Sequence, residues 1–177
     1  EFTPESVIDI QRTLGADVIM ALDECPPGGA DHSYVSVSNI RTIKWLERCR
    51  SRFQELEERG ESPQQTLFPV LQGNIYDDLR REHARQFMEM EDWTGYGIGG
   101  LSVGESKDNM WRVLELLHDE LPINRPRYLM GVGYPDDLLE AVARGCDLFD
   151  CVAPTRNARH GTAWTSQGGQ ANLKMAR

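Results

Sequence analysis

The chain has 177 residues, 40% of them hydrophobic, which suits one globular domain with a sizeable core and excludes a disordered or fibrous protein. Its 28 acidic residues against 19 basic ones leave a formal net charge of −9, which excludes gripping nucleic acid through a broad basic surface; any RNA contact must be local. The four cysteines form no C-x-x-C pair and the four histidines stand apart, so they read as reduced core or pocket thiols in a cytoplasmic protein, not as a disulfide framework or zinc site.

In chain order, Thr3-Pro4 caps and opens a helix that Gly15 ends. Val18 to Leu22 is a buried strand closing at Asp23, and Ser38 is expected to cap a long helix with Ile40, Ile43, Leu46, Cys49, Phe53 and Leu56 on one face. Glu61-Ser62-Pro63 is a polar connector, Thr66 to Leu71 a strand closing at Gln72-Gly73, and Tyr76 to Met90 a helix. Tyr96 to Ile98 is a short strand running into Gly99-Gly100; Lys107 to Glu120 is a helix burying Met110, Val113, Leu114 and Leu117. Arg127 to Met130 is a strand, Pro135-Asp136 opens a helix that ends at Gly145, and Leu148 to Cys151 is a last strand. A proline turn follows it, and Thr162 to Leu173, around Gly168-Gly169, reads as a β-hairpin. No apolar run is long enough to span a bilayer, and no signal peptide is visible.

Strands separated by helices imply parallel βαβ units, either in an open doubly wound sheet or in part of a (β/α)8 barrel, which needs roughly 250 residues. Both folds place function at the C-terminal strand ends. Asp23, Gln72, Gly99-Gly100, Met130-Gly131 and Asp150 all fall there. Each alone could be a loop cap or a turn; together they mark one rim. Asp150 stands out, since Phe149-Asp150-Cys151-Val152-Ala153-Pro154-Thr155-Arg156 sets a carboxylate at a strand end just before two arginines, Arg156 and Arg159. A carboxylate so held can be aimed at a reacting carbon, and the arginines can meet phosphate. The competing reading is a loop cap with surface ion pairs. Gly97-Ile98-Gly99-Gly100-Leu101-Ser102 breaks the dinucleotide G-x-G-x-x-G spacing, and neither a P-loop nor a G-x-S-x-G elbow occurs.

Five motifs in collinear order resemble the queuine/preQ1 tRNA-guanine transglycosylases: Met20-Ala21-Leu22-Asp23-Glu24-Cys25, Val70-Leu71-Gln72-Gly73, Gly97 through Glu105, Tyr128-Leu129-Met130-Gly131-Val132-Gly133 and Phe149 through Arg156. The resemblance implies an α/β fold, a (β/α)8 TIM barrel of which residues 1–177 are the central part, with no second domain. It implies exchange of guanine at the anticodon wobble position of a tRNA carrying G-U-N for a 7-deazaguanine, through a covalent ribosyl intermediate. Asp150 matches the nucleophile; Asp23, Gln72, Gly100, Leu101 and Met130 match the base pocket; Cys25 and Cys151 are read apart from the match as packing residues, Cys25 lining the pocket and Cys151 behind Asp150. Gly131, Val132, Gly133, Tyr134, Pro135, Asp136 and Asp137, with Thr155, Arg156, Asn157, Ala158 and Arg159, match the stretches that hold the anticodon loop. Val103-Gly104-Glu105 resembles the bacterial pattern, which implies preQ1 in place of queuine. A homodimer is implied too, as is a structural zinc whose ligands lie beyond Arg177, with no metal or cofactor within this chain.

The chain departs from the pattern in lacking the D-S-G-G-F-Q-like stretch whose aspartate is the acid–base group, in placing Asn74 where glycine is usual, and in placing Ala153 where a bulkier apolar residue is usual. It opens on Glu1, not methionine, as expected of a piece of something longer. Two alternatives stay open: a non-catalytic tRNA-binding or dimer-partner paralogue, and a small-molecule (β/α) enzyme using Asp150 as a base.

Overall fold

The computed structural model describes residues 2–60 and 64–173; the Glu61-Ser62-Pro63 connector lies outside the described residues. Helix α1 (Pro4–Leu14) starts where Thr3 Oγ1 accepts from the Ser6 amide and Ser6 Oγ accepts from the Thr3 amide, and stops at Gly15 with φ 74°. Strand β1 (Val18–Met20) follows, then helix α2 (His32–Glu58). Ser38 does not cap α2. Asp31 does, accepting from the Tyr34 amide at 2.8 Å, and Ser38 lies buried within the helix with its hydroxyl donating to the Glu24 carbonyl. The inner face is accordingly more polar than the expected stripe: Val35, Ser38, Asn39 and Thr42 are buried with Leu46, Cys49 and Leu56, and Ile40 is exposed. Ser38 and Thr42 hold the loop after β1, with Thr42 Oγ1 taking the Glu24 amide at 3.0 Å, while the Asn39 amide donates to the Leu79 carbonyl.

The run from Thr66 to Leu71 is two strands, β2 (Thr66–Phe68) and β3 (Val70–Leu71). Pro69 divides them because it has no N–H for the ladder, while its carbonyl accepts from Gly97 at 2.9 Å. Helix α3 (Asp77–Met90), strand β4 (Tyr96–Ile98), helix α4 (Lys107–Glu120), strand β5 (Arg127–Leu129), helix α5 (Pro135–Ala143) and strand β6 (Leu148–Phe149) complete the alternation. The segment after Asp150 is not a turn but helix α6 (Ala153–Arg159), since Pro154 occupies its first turn, where a missing N–H costs nothing. The expected hairpin is present as antiparallel β7 (Thr162–Trp164) and β8 (Gln170–Asn172).

The fold is α/β. β1 pairs β2, β3 pairs β4, β4 pairs β5 and β5 pairs β6, all parallel and in chain order. The helices follow suit: α1 touches α2, α2 touches α3, α3 touches α4 and α4 touches α5. Among the described strands there is no order reversal of the kind that marks a doubly wound sheet. Leu71, Ile98 and Leu129 stand in register across the sheet at 1% exposure or less, and pack with Leu114, Leu117 and Phe87 of the helix layer. β1 and β2 form a parallel pair of their own, and in the four-stranded sheet β3–β6 parallel pairing puts every C-terminal end along one edge.

The start of β4 approaches β2 closely because a side chain is absent there. A Cβ on Gly95 would lie 2.1 Å from Cζ of the buried Phe68 ring, whereas one on Gly29 would meet nothing within 4 Å. Gly95→Ala should therefore cost about 1–3 kcal/mol through forced repacking, read as a lower urea midpoint at unchanged slope. Gly29→Ala should stay within about 0.5 kcal/mol of the parent.

Candidate active site

The first group of side chains at the common edge comes from the ends of β1, β3 and β4. Gln72, 1% exposed, donates from Nε2 to Asp23 Oδ2 at 2.6 Å. Its Oε1 is buried with no hydrogen-bond partner among the described residues, an acceptor waiting for an N–H. Glycine is required beside it: a Cβ on Gly99 would lie 2.4 Å from Gln72 Nε2, and one on Gly100 2.2 Å from Oε1. Gly100 also has φ 66°, in the left-handed region. Asp23 is half-buried, and burial, only partly offset by the Gln72 hydrogen bond, raises its pKa above the ordinary aspartate value. Burial and the nearby Asp23 charge raise the Cys25 thiol pKa, which disfavours its thiolate.

The loops are held from outside the group. Asn74 adopts φ 50°, tolerable for asparagine, with its amide donating to the Pro27 carbonyl at 3.1 Å and its Oδ1 accepting from Ile75. Ser102 also has a positive φ, 61°, and the Glu105 carboxylate takes the Ser102 and Val103 amides at 2.5 and 3.0 Å. The side chain of Leu101 is buried and Met130, half-buried, continues β5 by donating its amide to Ile98 at 3.2 Å.

The second group lies at the ends of β5 and β6. Asp150 is exposed, and its Oδ1 accepts both the Tyr128 hydroxyl and the Gly131 amide at 2.8 Å. Oδ2 has no hydrogen bond among the described residues. Burial and the bond to Asp150 push the Tyr128 phenol up to about 12, so it stays a donor at any working pH. One oxygen is thus anchored twice and the other faces solvent, an orientation suited to a carboxylate nucleophile. Cys151 packs against the β5–α5 loop, where a Cβ on Gly133 would fall 2.2 Å from Cys151 Cβ.

Of the remaining predicted residues, Gly131, Tyr134, Pro135 and Asp136 are exposed, while Val132 and Gly133 are buried. Asp137 is turned inward and paired with Lys107. On α6, Thr155, Arg156, Ala158 and Arg159 are exposed and Asn157 is half-buried. Arg156 and Arg159 lie three apart on one helix face and make no ion pair among the described residues, unlike Arg48, Arg52, Arg85, Arg112 and Arg144. Tyr134 meets Trp164 edge-on, ring centroids 5.6 Å apart. Three contributors went unnoticed in the sequence: Tyr128, Arg80 and His83. Arg80, His83, Ala84 and Phe87 form an i, i+3, i+4, i+7 stripe that is buried throughout, and that period was the available signal.

Asp23 also has a stability consequence. A carboxylate whose pKa is higher folded than unfolded binds more protons in the folded chain, so stability falls as pH rises through that window. Asp23→Asn should therefore raise Tm at neutral pH, with the gain shrinking to nothing below the ordinary aspartate pKa; a Tm–pH series on both proteins checks this.

The described helices include none long and apolar enough to cross a membrane. A family model described as queuine tRNA-ribosyltransferase matches residues 1–177. Relatives named queuine tRNA-ribosyltransferase include one from Thermoanaerobacter sp. (strain X514), 54% identical over 94% of this chain and 43% of its own length. Others are from Halothermothrix orenii, 51% identical over 94% and 42%, and from Lysinibacillus sphaericus, 50% identical over 99% and 45%. The chain thus spans less than half the length of these relatives. By the match along all 177 residues and by identity at this level, the chain belongs to the queuine tRNA-ribosyltransferase family.

Proposed function

We propose that the whole protein exchanges guanine at the wobble position of a G-U-N anticodon for preQ1, and that this chain supplies the nucleophile and the base-recognising groups. The observation that carries the reading is the pairing, along one edge of a parallel sheet, of a doubly anchored carboxylate with a nook that offers purine N–H groups two acceptors. Asp23 and the free Gln72 Oε1 take donors of the purine edge, and the main chain of Gly100 and Leu101 with the Met130 side chain bounds the ring. A buried acceptor left unpaired by a lesser base is what gives such a site its selectivity.

In the reaction, Asp150 Oδ2 attacks the ribose C1′ as the C1′–N9 bond breaks, and the bonding electrons leave with guanine, which takes up a proton. Tyr128 and Gly131 hold the carboxylate beneath the carbon while positive charge grows on the sugar. The incoming base then attacks C1′ through N9, loses its N9 proton and displaces Asp150, so that two inversions give retention. The acid–base group that moves these protons lies outside this chain in the reading proposed. The wobble nucleotide must leave its stack to reach the edge. Arg156 and Arg159, exposed cations without carboxylate partners among the described residues, take the flanking phosphates.

The same reading takes residues 1–177 as the central part of a (β/α)8 barrel. Strand order supports it, as do apolar Leu139 and Val142 on α5 and Leu148 on β6, 73%, 56% and 43% exposed, where a further βα unit would pack. Among the described residues no group of three or more His, Cys, Asp or Glu could hold a metal ion.

With the full-length protein, unmodified tRNA and labelled guanine, Asp150→Asn should abolish incorporation and the denaturant-stable tRNA adduct, a loss on the order of a thousandfold or more. Tyr128→Phe should lower kcat about tenfold at unchanged guanine KM, the worth of one hydrogen bond to a charged group. No exchange by the folded parent would turn the reading toward a non-catalytic paralogue.

A further inference from the structure

Helix α3 carries two buried titratable side chains that the chemistry above does not use. Arg80 is fully buried, and among the described residues no carboxylate hydrogen-bonds it; Cys25 and Glu105 act on it through space. Its fork donates to three main-chain carbonyls: Nε to Asn74 at 2.8 Å, Nη1 to Leu71 at 3.0 Å and Nη2 to Gly100 at 3.2 Å. These belong to the end of β3, the loop after it and the loop after β4, so one planar cation ties together the segments on both sides of the Gln72 amide. The peptide unit is planar and trans, so holding the Gly100 carbonyl toward Arg80 also fixes the Leu101 N–H in the opposite direction.

One turn on, His83 Nδ1 lies 3.0 Å from the Gln72 main-chain nitrogen, whose N–H it accepts in one tautomer, and 3.2 Å from the Gln72 carbonyl, to which it donates in the other. Burial lowers the ring's pKa to about 3, so the ring stays neutral across the working pH range and holds the Gln72 main chain in either tautomer. Packing leaves no slack: a Cβ on Gly73 would lie 3.0 Å from both Arg80 Cδ and the Arg80 amide nitrogen. A strand end can be tied by a neutral amide or hydroxyl at far smaller desolvation cost than a guanidinium taken wholly out of water. What the guanidinium adds is a rigid spacing between carbonyls of separate loops.

We propose that Arg80 and His83 are positioning residues for the base site, setting Gln72 and the Gly100–Leu101 main chain from behind without touching the base. The inference rests on the exchange reading above, whose base site it deepens. It is tested on the full-length protein by guanine calorimetry alongside exchange kinetics, with Arg80→Lys, His83→Asn and His83→Leu. Arg80→Lys, which keeps the charge but cannot span three carbonyls, should weaken guanine affinity and raise its KM about tenfold while kcat moves less than about threefold. His83→Asn retains an acceptor for the Gln72 amide and should bind guanine more tightly than His83→Leu. Parent-like guanine affinity in folded Arg80→Lys would overturn the proposal, as would equal affinities in the two His83 variants, which decide the matter if Arg80→Lys does not fold. A parent that binds guanine without exchanging it would strike the exchange reading alone, and calorimetry would still decide the role of Arg80 and His83.

Discussion

A guanidinium enclosed in protein and hydrogen-bonded to three main-chain carbonyls is the contact on which the rest of this architecture turns. Arg80 reaches the ends of β3 and β4 and the loop between them at once, from a helix that itself packs on α2 and α4. Burial lowers its pKa to about 9, still high enough to leave it cationic at neutral pH. Three hydrogen bonds to backbone dipoles, which point their negative ends off the C-terminal edge of a parallel sheet, offset the lost hydration. Without that tie the two loops would be free to drift apart, and Gln72 sits between them.

Closeness at this edge depends on missing side chains as much as on those present. Gly99 and Gly100 allow the Gln72 amide within a distance that any Cβ would forbid, and Gly133 does the same for Cys151 beside the nucleophile. The site is therefore built from backbone approach, with few side chains set into it. Asp23 shows what this arrangement costs: a half-buried carboxylate held by one amide is less stable than the same group in water. Asp150 is the opposite case, exposed, doubly hydrogen-bonded on one oxygen and free on the other. Two carboxylates on one sheet edge thus acquire different characters from burial and partners alone.

The sequence by itself determined the alternation of strands and helices and the rim on which function falls. Periodicity placed α4 at Lys107–Glu120, the Thr3-Pro4 cap placed α1, and Gly168-Gly169 placed the hairpin, because caps, apolar spacing and turn residues act within a few positions of themselves. It erred at Ser38, which resembles a cap until the Glu24 carbonyl takes its hydroxyl, and after Asp150, where a proline that suits a turn equally suits the first turn of a helix. Only the tertiary structure decided which oxygen of Asp150 is anchored, that Tyr128 and Gly131 anchor it, and that Arg80 lies inward while its neighbour Arg81 pairs with Glu120 at the surface. The contacts that decide this include pairs 19 to 22 residues apart in sequence, from Gly131 and Tyr128 to Asp150 and from Arg80 to Gly100. Local propensity carries no information about such pairings, because the free energy that selects them exists only once the sheet has brought the ends together.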